Sequence, residues 1–480
     1  MSEALQRGSV YIQTYGCQMN QLDSELVSGA LESAGYRVVA TPDEAGIILI
    51  NTCSVRDLAE HKVWSHLGRL GMLKRRERPD LVIGVIGCMA EREGERITER
   101  LPYVDVVCGP ALLDRLPLLL ANAVQSRSAQ VAVVGHAQRR GSDRAFGTQE
   151  IDALDLSRSF SAHRLKAQAY VRITRGCDKF CSFCVVPFTR GPEVHRAPGQ
   201  IVDEVRELAD HGVLEVTLLG QTVNHYQFAD GGRTTSFADL LFEVHEAVPH
   251  LPRLRFVTSY PRDFDDATLE VMAASARLCR YLHLPAQSGS NRMLAAMNRG
   301  YTAEAYLVLL DRARARMPDI CLAGDMIVGF PGETDDDHAQ SIELLRRAQY
   351  KNCFVFQYSP RSGTVAARRL ADNVSEEVKH RRNLELLSLQ SELSLQHNRG
   401  RVGCELEVLV ESQSKIRAHA RGDVVRIGGS RPRSADEARL VGRTRGDEIV
   451  AFDGPAGLVG RITRVRAAGA SPLTILAELL

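Results

Sequence analysis

Several features that would mark a membrane, secreted or generally polyanion-binding protein are missing from this sequence of 480 residues. No apolar run reaches the ~20 residues that a membrane-spanning helix needs, and the N-terminal stretch MSEALQRGSVYIQTYG has no charged-then-apolar signal pattern. The formal net charge is only +1, so a nucleic acid would have to be held by local patches. We therefore expect a cytoplasmic protein of roughly three domains without a membrane partner.

Cysteine, by contrast, is plentiful, with eleven residues in the chain. A disulfide framework is not expected in a reducing compartment, so metal binding or catalysis is the better interpretation. Three cysteines lie in 177-CDKFCSFC-184, at the spacing C-x3-C-x2-C, directly after the predicted strand 169–174. A structural zinc site takes four ligands, and His195 could supply the fourth. A [4Fe–4S] cluster held by only three thiolates instead keeps one iron open for an exogenous ligand.

Three further cysteines each follow a predicted strand near the N-terminus. Cys17, Cys53 and Cys88 come after VYIQTYG, IILINT and LVIGVIG, at spacings of about one βα repeat. Parallel neighbouring strands would bring the three thiols to one sheet edge, where open α/β sheets bind ligands. The alternative is that they are ordinary buried cysteines. Cys108 also follows a strand, so a fourth ligand remains open at this point.

The apolar periodicity divides the chain into three structured segments and a linker. Residues 8–125 predict a small α/β domain with a mostly parallel sheet, and residues 126–162 predict a linker. Residues 163–395 contain six strand–helix repeats, which predict a partial (β/α)6 barrel whose working face lies at the strand C-terminal ends. The last part of this segment, from residue 375, is a charged amphipathic helix. Residues 398–480 predict a small antiparallel, OB-like β-barrel of about five strands.

The segment 176-GCDKFCSFCVVPFTRG-191 strongly resembles the cluster loop of radical SAM proteins. The resemblance implies that Cys177, Cys181 and Cys184 hold a [4Fe–4S] cluster whose free iron binds S-adenosylmethionine (SAM), with Phe183 near the adenine. Radical chemistry of this kind belongs to the cofactor, while the protein supplies position and shielding. Segments 219–226, 283–290 and 324–334 form or follow other barrel strands and are candidates to face the same pocket. Their candidate cofactor-binding residues are Gln221, Asn224, Gln287, Ser288, Asp325 and Gly329.

The N-terminal motifs extend the resemblance to a narrower family. The segments 15-YGCQMNQLDSE-25, 51-NTCSVR-56 and 87-GCMAE-91 resemble the N-terminal domain of methylthiotransferases, in which three cysteines hold an auxiliary [4Fe–4S] cluster. The C-terminal segment resembles TRAM domains, which bind tRNA, for example at 440-LVGRTRGDEIVAF-452. The chain outside the linker is therefore similar to the MiaB-type tRNA methylthiotransferases. This resemblance makes Cys17, Cys53 and Cys88 the auxiliary ligands and leaves Cys108 as a bystander.

This resemblance implies methylthiolation of C2 of N6-isopentenyladenosine, next to the anticodon of tRNA, with two SAM molecules and both clusters. One SAM donates a methyl group to a sulfur atom at the auxiliary cluster, and cleavage of the second gives a radical that removes hydrogen from C2. The C2–H bond has no useful acidity, which is why radical rather than acid–base chemistry is required. The six cluster cysteines are then the catalytic residues. A low-potential donor such as flavodoxin or ferredoxin would supply electrons, and we expect a monomer.

Two alternatives remain open on the sequence. One is a sister methylthiotransferase that acts on threonylcarbamoyladenosine in tRNA or on a ribosomal-protein aspartate. The other is an RNA-binding iron–sulfur protein that senses redox state without turnover. Production of 5′-deoxyadenosine from SAM would exclude the sensor, and the modified product would separate the two kinds of methylthiotransferase.

Overall fold

The structure, a computed structural model, describes residues 8–54, 57–135, 154–155, 158–160, 166–414, 425–426 and 437–480. These residues form an N-terminal α/β domain, a central partial barrel and a small C-terminal β-barrel, as the periodicity predicted. Within them, no helix is both long enough and apolar enough to cross a membrane.

The N-terminal domain is built on six parallel strands in the order β2-β1-β3-β4-β5-β6. Its elements are β1 (Ser9–Thr14), α1 (Gln18–Ser33), β2 (Arg37–Val38), β3 (Ile47–Thr52), α2 (Asp57–Arg76), β4 (Val82–Gly87), α3 (Cys88–Glu93), α4 (Arg96–Arg100), β5 (Val106–Cys108), α5 (Leu116–Ser126) and β6 (Gln130–Ala132). Strands β3 and β4 are buried along their whole length, as continuous apolar runs in a parallel sheet should be. Since all six strands run the same way, their C-terminal ends meet at one edge.

Strand β6 corrects the predicted domain boundary. It lies within residues 126–162, which the sequence predicted as a linker, and pairs in parallel with β5. With three residues, β6 is too short to show a periodic pattern. The N-terminal domain therefore extends at least to Ala132. Most of the remaining predicted linker lies outside the described residues.

The central domain has six parallel barrel strands that follow one another in chain order, arranged as two three-stranded sheets, β7-β10-β13 and β14-β15-β16. A backbone bridge between Leu254 and Leu278 joins the two sheets. The elements are β7 (Gln168–Arg172), β8 (Thr174–Arg175), α6 (Val186–Thr189), β9 (Val194–His195), α7 (Pro198–Asp210), β10 (Glu215–Leu219), β11 (Gln227–Asp230), β12 (Arg233–Ser236), α8 (Phe237–Ala247), β13 (Arg253–Phe256), α9 (Asp266–Ala274), β14 (Tyr281–His283), α10 (Asn291–Ala296), α11 (Ala303–Arg316), β15 (Cys321–Val328), α12 (Asp335–Ala348), β16 (Asn352–Gln357), α13 (Val365–Arg369) and α14 (Glu376–Arg399). Strands β7 and β16 do not pair with each other, so the barrel is open on one side.

The C-terminal barrel contains β17 (Glu405–Gln413), β19 (Glu437–Arg443), β20 (Ile449–Pro455), β21 (Ile462–Ala470) and β22 (Ile475–Leu479), with the short β18 (Val425–Arg426) paired to β21. Pairing of β17 with β21 closes the five long strands into a ring around one apolar core. One pair departs from the predicted antiparallel pattern, because β22 lies between β20 and β21 and runs parallel to β20. The five-stranded, OB-like architecture is as expected.

The C-terminal barrel covers the end of the central barrel at which the strands begin. Gln168, the first residue of β7, donates a hydrogen bond to Glu411 over 3.1 Å. At the start of β13, the fully buried Arg253 pairs with Glu407 at 2.9 Å. Just before β16, Lys351 pairs with Asp447 at 3.1 Å. The opposite end, where the strands finish, is therefore left for the N-terminal domain and the cysteine loop.

Candidate functional site: two groups of cysteines at one domain interface

The sheet brings Cys17, Cys53 and Cys88 to the same edge. They follow β1, β3 and β4, which are adjacent in the sheet and run parallel. Gly16 has φ of +122°, and a Cβ atom there would lie 2.4 Å from Cys53 Cβ and 3.3 Å from its sulfur. The loop that carries Cys17 therefore closes directly onto Cys53, which only glycine at position 16 permits.

The surroundings shift the pKa values of the Cys17 and Cys88 thiols in opposite directions. A hydrogen bond with Cys53 is the main cause that lowers the pKa of Cys17 to about 6, and the positive charge of Arg190 adds to it. The Cys17 thiol also donates to Asn20 Oδ1 over 3.1 Å. Burial raises the pKa of Cys88, although the positive charge of Arg190 opposes this shift. One arginine thus acts on both thiols.

Arg190 belongs to the central domain, and sequence reasoning did not single it out. Its Nη2 donates to Asp23 Oδ2 over 2.8 Å, and Asp23, on α1, is fully buried. The same carboxylate accepts from Arg172, at the end of β7, over 3.3 Å. Burial by itself would lower the pKa of Arg190, but Asp23, Cys88 and Cys17 together hold it well above its usual value. Both arginines therefore join the two domains through one carboxylate.

The second group, Cys177, Cys181 and Cys184, lies on the loop after β8. Gly176 has φ of +78°, and a Cβ atom there would approach the Pro192 carbonyl oxygen to 1.9 Å, so the loop needs glycine at this point. Cys184 N donates to Cys181 O over 3.0 Å, which turns the chain tightly between these two cysteines.

Basic and hydroxyl side chains reach the sulfur atoms of this loop. Arg299 Nη1 donates to Cys181 Sγ over 3.2 Å, while its guanidinium lies over the Tyr260 ring at 4.6 Å. Burial raises the pKa of Cys177 to about 11 and that of Cys184 to about 12, and the charge of Cys181 adds to both shifts. These two thiols would stay protonated at neutral pH unless a metal took the place of the proton.

The predicted SAM-pocket residues lie near the strand ends, and several are already engaged by the protein. Asn224 Nδ2 donates to the carbonyl oxygen of Tyr260 over 3.0 Å, and Asn224 Oδ1 accepts from Tyr260 N over 2.7 Å. Gln287 has φ of +73° and its backbone bridges to Asp325 and Ile327. Ser288 is fully buried and accepts from Ser290 N.

The other four candidates have different surroundings. Asp325 lies 3.2 Å from His283 Nε2. Gly329 has φ of +71° and faces Lys379, whose Cγ would lie 2.2 Å from an added Cβ. Phe183 packs on a small apolar cluster with Phe330 and Tyr358. Gln221 is half-buried beside Thr222, whose hydroxyl lies 4.0 Å from Cys177 Sγ. Cofactor binding by these residues stays a prediction.

His195, considered as a fourth zinc ligand for the loop, instead shares a group with Glu193 and His225. The ligand atoms of these three residues lie within 4.8 Å of one another, and His225 Nδ1 lies 2.8 Å from Glu193 Oε2. Cys108 is buried and directs its thiol to the carbonyl oxygen of Leu112, at 3.2 Å.

Cys321, His397 and Glu448 form another such group, with ligand atoms within 4.8 Å of one another, where the C-terminal barrel joins the central domain. Glu448 already accepts from His397 at 2.9 Å and from Arg401 at 2.6 Å. Burial alone would raise its pKa, but hydrogen bonds from His397 and Thr444 and the charge of Arg401 lower it to about 2. The cluster is therefore a charge-balanced joint between domains.

The residues around the first group fit an anionic iron–sulfur cluster. In the described parts of the chain, two buried donors beside these thiols have no hydrogen-bond partner, namely Ser54 Oγ and Arg190 Nη1. Buried donors without a partner are costly, so such atoms mark a place where another acceptor belongs. Three soft thiols, one cation and two free donors match the ligand set and the charge of a [4Fe–4S] cluster.

The two cysteine groups are close neighbours in the fold. Helix α6 begins two residues after Cys184 and packs against α3, which begins at Cys88. Arg190 follows α6 directly, and its positive charge acts on the thiol of Cys88. A three-cysteine loop at barrel strand ends and a second three-cysteine group thus lie at one domain interface.

Two family models match the chain. The model described as uncharacterized protein family UPF0004 covers residues 9–109, and the radical SAM superfamily model covers residues 171–345. The first lies within the α/β domain, and the second covers most of the central barrel.

The chain is similar over nearly its whole length to proteins named tRNA-2-methylthio-N(6)-dimethylallyladenosine synthase. The relative from Rhodopirellula baltica is 42% identical over 98% of this chain and 95% of its own. The relative from Carboxydothermus hydrogenoformans is 42% identical over 95% of this chain and 96% of its own. Among solved structures, the radical S-adenosylmethionine methyltransferase TsrM from Kitasatospora setae superposes with a TM-score of 0.54 at 17% identity and covers 73% of each chain, which shows a shared fold.

Proposed function

This chain belongs to the family of tRNA-2-methylthio-N(6)-dimethylallyladenosine synthases, and on that premise we propose that it methylthiolates C2 of N6-isopentenyladenosine next to the anticodon of tRNA. It is a radical SAM transferase that uses SAM and two [4Fe–4S] clusters. The observation that carries the proposal is the pair of three-cysteine groups facing one interface, with Arg190 reaching from one domain to the other.

In this proposal Cys17, Cys53 and Cys88 hold the auxiliary cluster, and Cys177, Cys181 and Cys184 hold the cluster that binds SAM. When bound, the clusters and SAM supply the electron, the methyl group and the hydrogen-abstracting radical that this chemistry needs. The chain contributes position and charge. Arg299 donates a hydrogen bond to Cys181, and Arg190 places a cation beside Cys17 and Cys88.

A cavity of about 1040 Å³ supports a nucleoside-sized substrate. Gln18 of α1, Tyr170 on β7 and the edge strand β16 line it, together with α14 and residues of the C-terminal barrel. Phe354 and Phe356 on β16 line it, and their rings stack at a centroid distance of 6.4 Å while remaining 50% and 39% exposed. Exposed aromatic faces are the surfaces on which proteins stack unpaired bases of single-stranded RNA.

The two phenylalanines face the inside of the barrel. They are the register partners of Asp325 and Ile327 on β15, so they share that face of the sheet. The intervening residues Met326 and Val328 are buried in the core between the sheet and the helices. An apolar wall at the open side of the barrel suits an adenine that carries a five-carbon alkenyl group.

The proposal also includes a low-potential one-electron donor such as flavodoxin or ferredoxin, a cytoplasmic location and action as a monomer. Cleavage of SAM at a [4Fe–4S] cluster requires such a donor, because the cleavage is a one-electron reduction of the sulfonium. A soluble tRNA pool supports the location.

The first experiment is anaerobic reconstitution with iron and sulfide, followed by iron counting in the wild type and in the variant Cys17→Ala/Cys53→Ala/Cys88→Ala. We expect about eight irons per chain in the wild type and about four in the variant. The reconstituted wild type should then convert isopentenylated tRNA to its 2-methylthio form and leave unmodified tRNA unchanged. About four irons in both proteins, or 5′-deoxyadenosine without a methylthiolated product, would contradict the proposal.

A further inference from the structure

Arg190 carries a hydrogen-bonding capacity that the ion pair with Asp23 does not use. Its side chain is almost completely buried, and Nη2 is satisfied by Asp23. Nη1 is also buried, yet none of the described residues accepts a hydrogen bond from it. A guanidinium has five donors and no acceptor, so a buried terminal nitrogen without a partner indicates an acceptor that the polypeptide does not provide.

The surroundings of Arg190 identify the chemistry of that acceptor. Arg190 directly follows helix α6, and α6 packs against α3, which begins at Cys88. Ser54, directly after Cys53, has the second unpartnered buried donor in this place. Sulfur atoms of an anionic cluster would accept from both, and in the described part of the chain no second carboxylate accepts from either donor.

We propose that Arg190 is a positioning residue that donates from Nη1 to a sulfur atom at the auxiliary site and thereby sets the reduction potential of the cluster there. The inference rests on the ligand role proposed above for Cys17, Cys53 and Cys88. Reduction adds negative charge, and a nearby cation with a hydrogen bond to sulfur stabilises the reduced state more than the oxidised state. Arg190 therefore raises the potential, and Asp23, a buried anion beside it, lowers it.

Arginine fits this task better than lysine would. The planar guanidinium binds Asp23 with one terminal nitrogen and keeps the other free for a second acceptor. A lysine has a compact charge on a flexible stem and lacks this fixed fork. The alternative is that Arg190 serves only as a clamp between domains, in the way Arg172 does through the same carboxylate.

The test measures the midpoint potential of the auxiliary cluster alone. The full-length chain carries Cys177→Ala/Cys181→Ala/Cys184→Ala, so that only one cluster titrates, and electron paramagnetic resonance follows its reduction. In this background we expect Arg190→Met to shift the one-electron reduction equilibrium at least tenfold toward the oxidised form, which is 59 mV to more negative potential for one electron. Arg190→Lys should shift it in the same direction by less, and Asp23→Asn in the opposite direction.

Arg172→Lys is the matched control, because it alters the other arginine on the same carboxylate while keeping a positive charge there. Its potential should equal that of the parent. Unchanged potentials in Arg190→Met would overturn the inference and leave a structural clamp. If Arg190→Met does not retain iron, the opposite signs expected for Arg190→Lys and Asp23→Asn decide, and shifts of the same sign in both would overturn it. Absence of iron from the parent would instead refute the proposed ligand role.

Discussion

Truncation of the aromatic wall on β16 should weaken the recognition of tRNA without harming the fold. Phe354 and Phe356 are 50% and 39% exposed, so Phe354→Ala/Phe356→Ala removes little buried surface. Stacking of one base on an aromatic side chain contributes about 1–3 kcal/mol by alanine substitution. If one base stacks on this pair, the dissociation constant for tRNA should rise roughly 5- to 150-fold.

The assay is anaerobic binding of isopentenylated tRNA, with methylthiolation followed under single-turnover conditions. We expect a higher KM for tRNA in the double variant and an unchanged rate of 5′-deoxyadenosine release per SAM bound, because the cysteine sites are not altered. Phe242→Ala is the matched control, since Phe242 is 54% exposed on helix α8, outside the cavity. Binding of the double variant within twofold of the wild type would refute the role of the wall.

Three further predictions concern the cysteine loop and the domain interfaces. Gly176→Ala places a Cβ atom 1.9 Å from the Pro192 carbonyl oxygen, so iron content should fall from about eight to about four per chain while the folded structure persists by circular dichroism. Glu448 has a folded pKa of about 2, below its ordinary 4.5, so its stabilisation is complete above about pH 4.5 and is lost as the pH falls toward 2. The shift corresponds to about 3 kcal/mol of unfolding free energy. Between pH 6 and 3, the free energy of unfolding should therefore decrease more steeply in the wild type than in Glu448→Gln. An equal decrease in both proteins would contradict the role of this carboxylate. Arg253→Met removes the buried partner of Glu407 and should lower the free energy of unfolding by about 3 kcal/mol. Arg466→Met, at an exposed pair with Glu405, should lower it by less than about 1 kcal/mol. Equal losses would show that the burial of Arg253 does not matter.

The convergence of Cys17, Cys53 and Cys88 could be predicted because it depends on local information. Each cysteine follows an apolar run that reads as a strand, and the alternation with helices makes the strands parallel. Parallel neighbours must end at one edge, so the thiols meet there without knowledge of any distant contact. The loop at Cys177 was equally readable, since its spacing and its place after a strand are both local.

The partners of these cysteines could not be predicted in the same way. Arg190 and Asp23 are 167 residues apart and meet only because two domains dock, which leaves no periodic signal in either segment. The exposure of Phe354 and Phe356 could not be predicted either, because an apolar strand has the same sequence pattern in a closed barrel as at the open edge of a partial barrel. Strand β6 could not be predicted, because a segment of three residues is too short to show a periodic pattern of apolar residues.

The position of Arg190 also has a consequence for the order in which the protein matures. The N-terminal domain is synthesised first, but Arg190, whose charge acts on its cysteines, follows the cysteine loop in the chain. Asp23 is buried in the folded protein, where it pairs with Arg172 and Arg190 of the central domain. If these cysteines hold the proposed auxiliary cluster, its surroundings are complete only when the central domain has folded against the N-terminal domain.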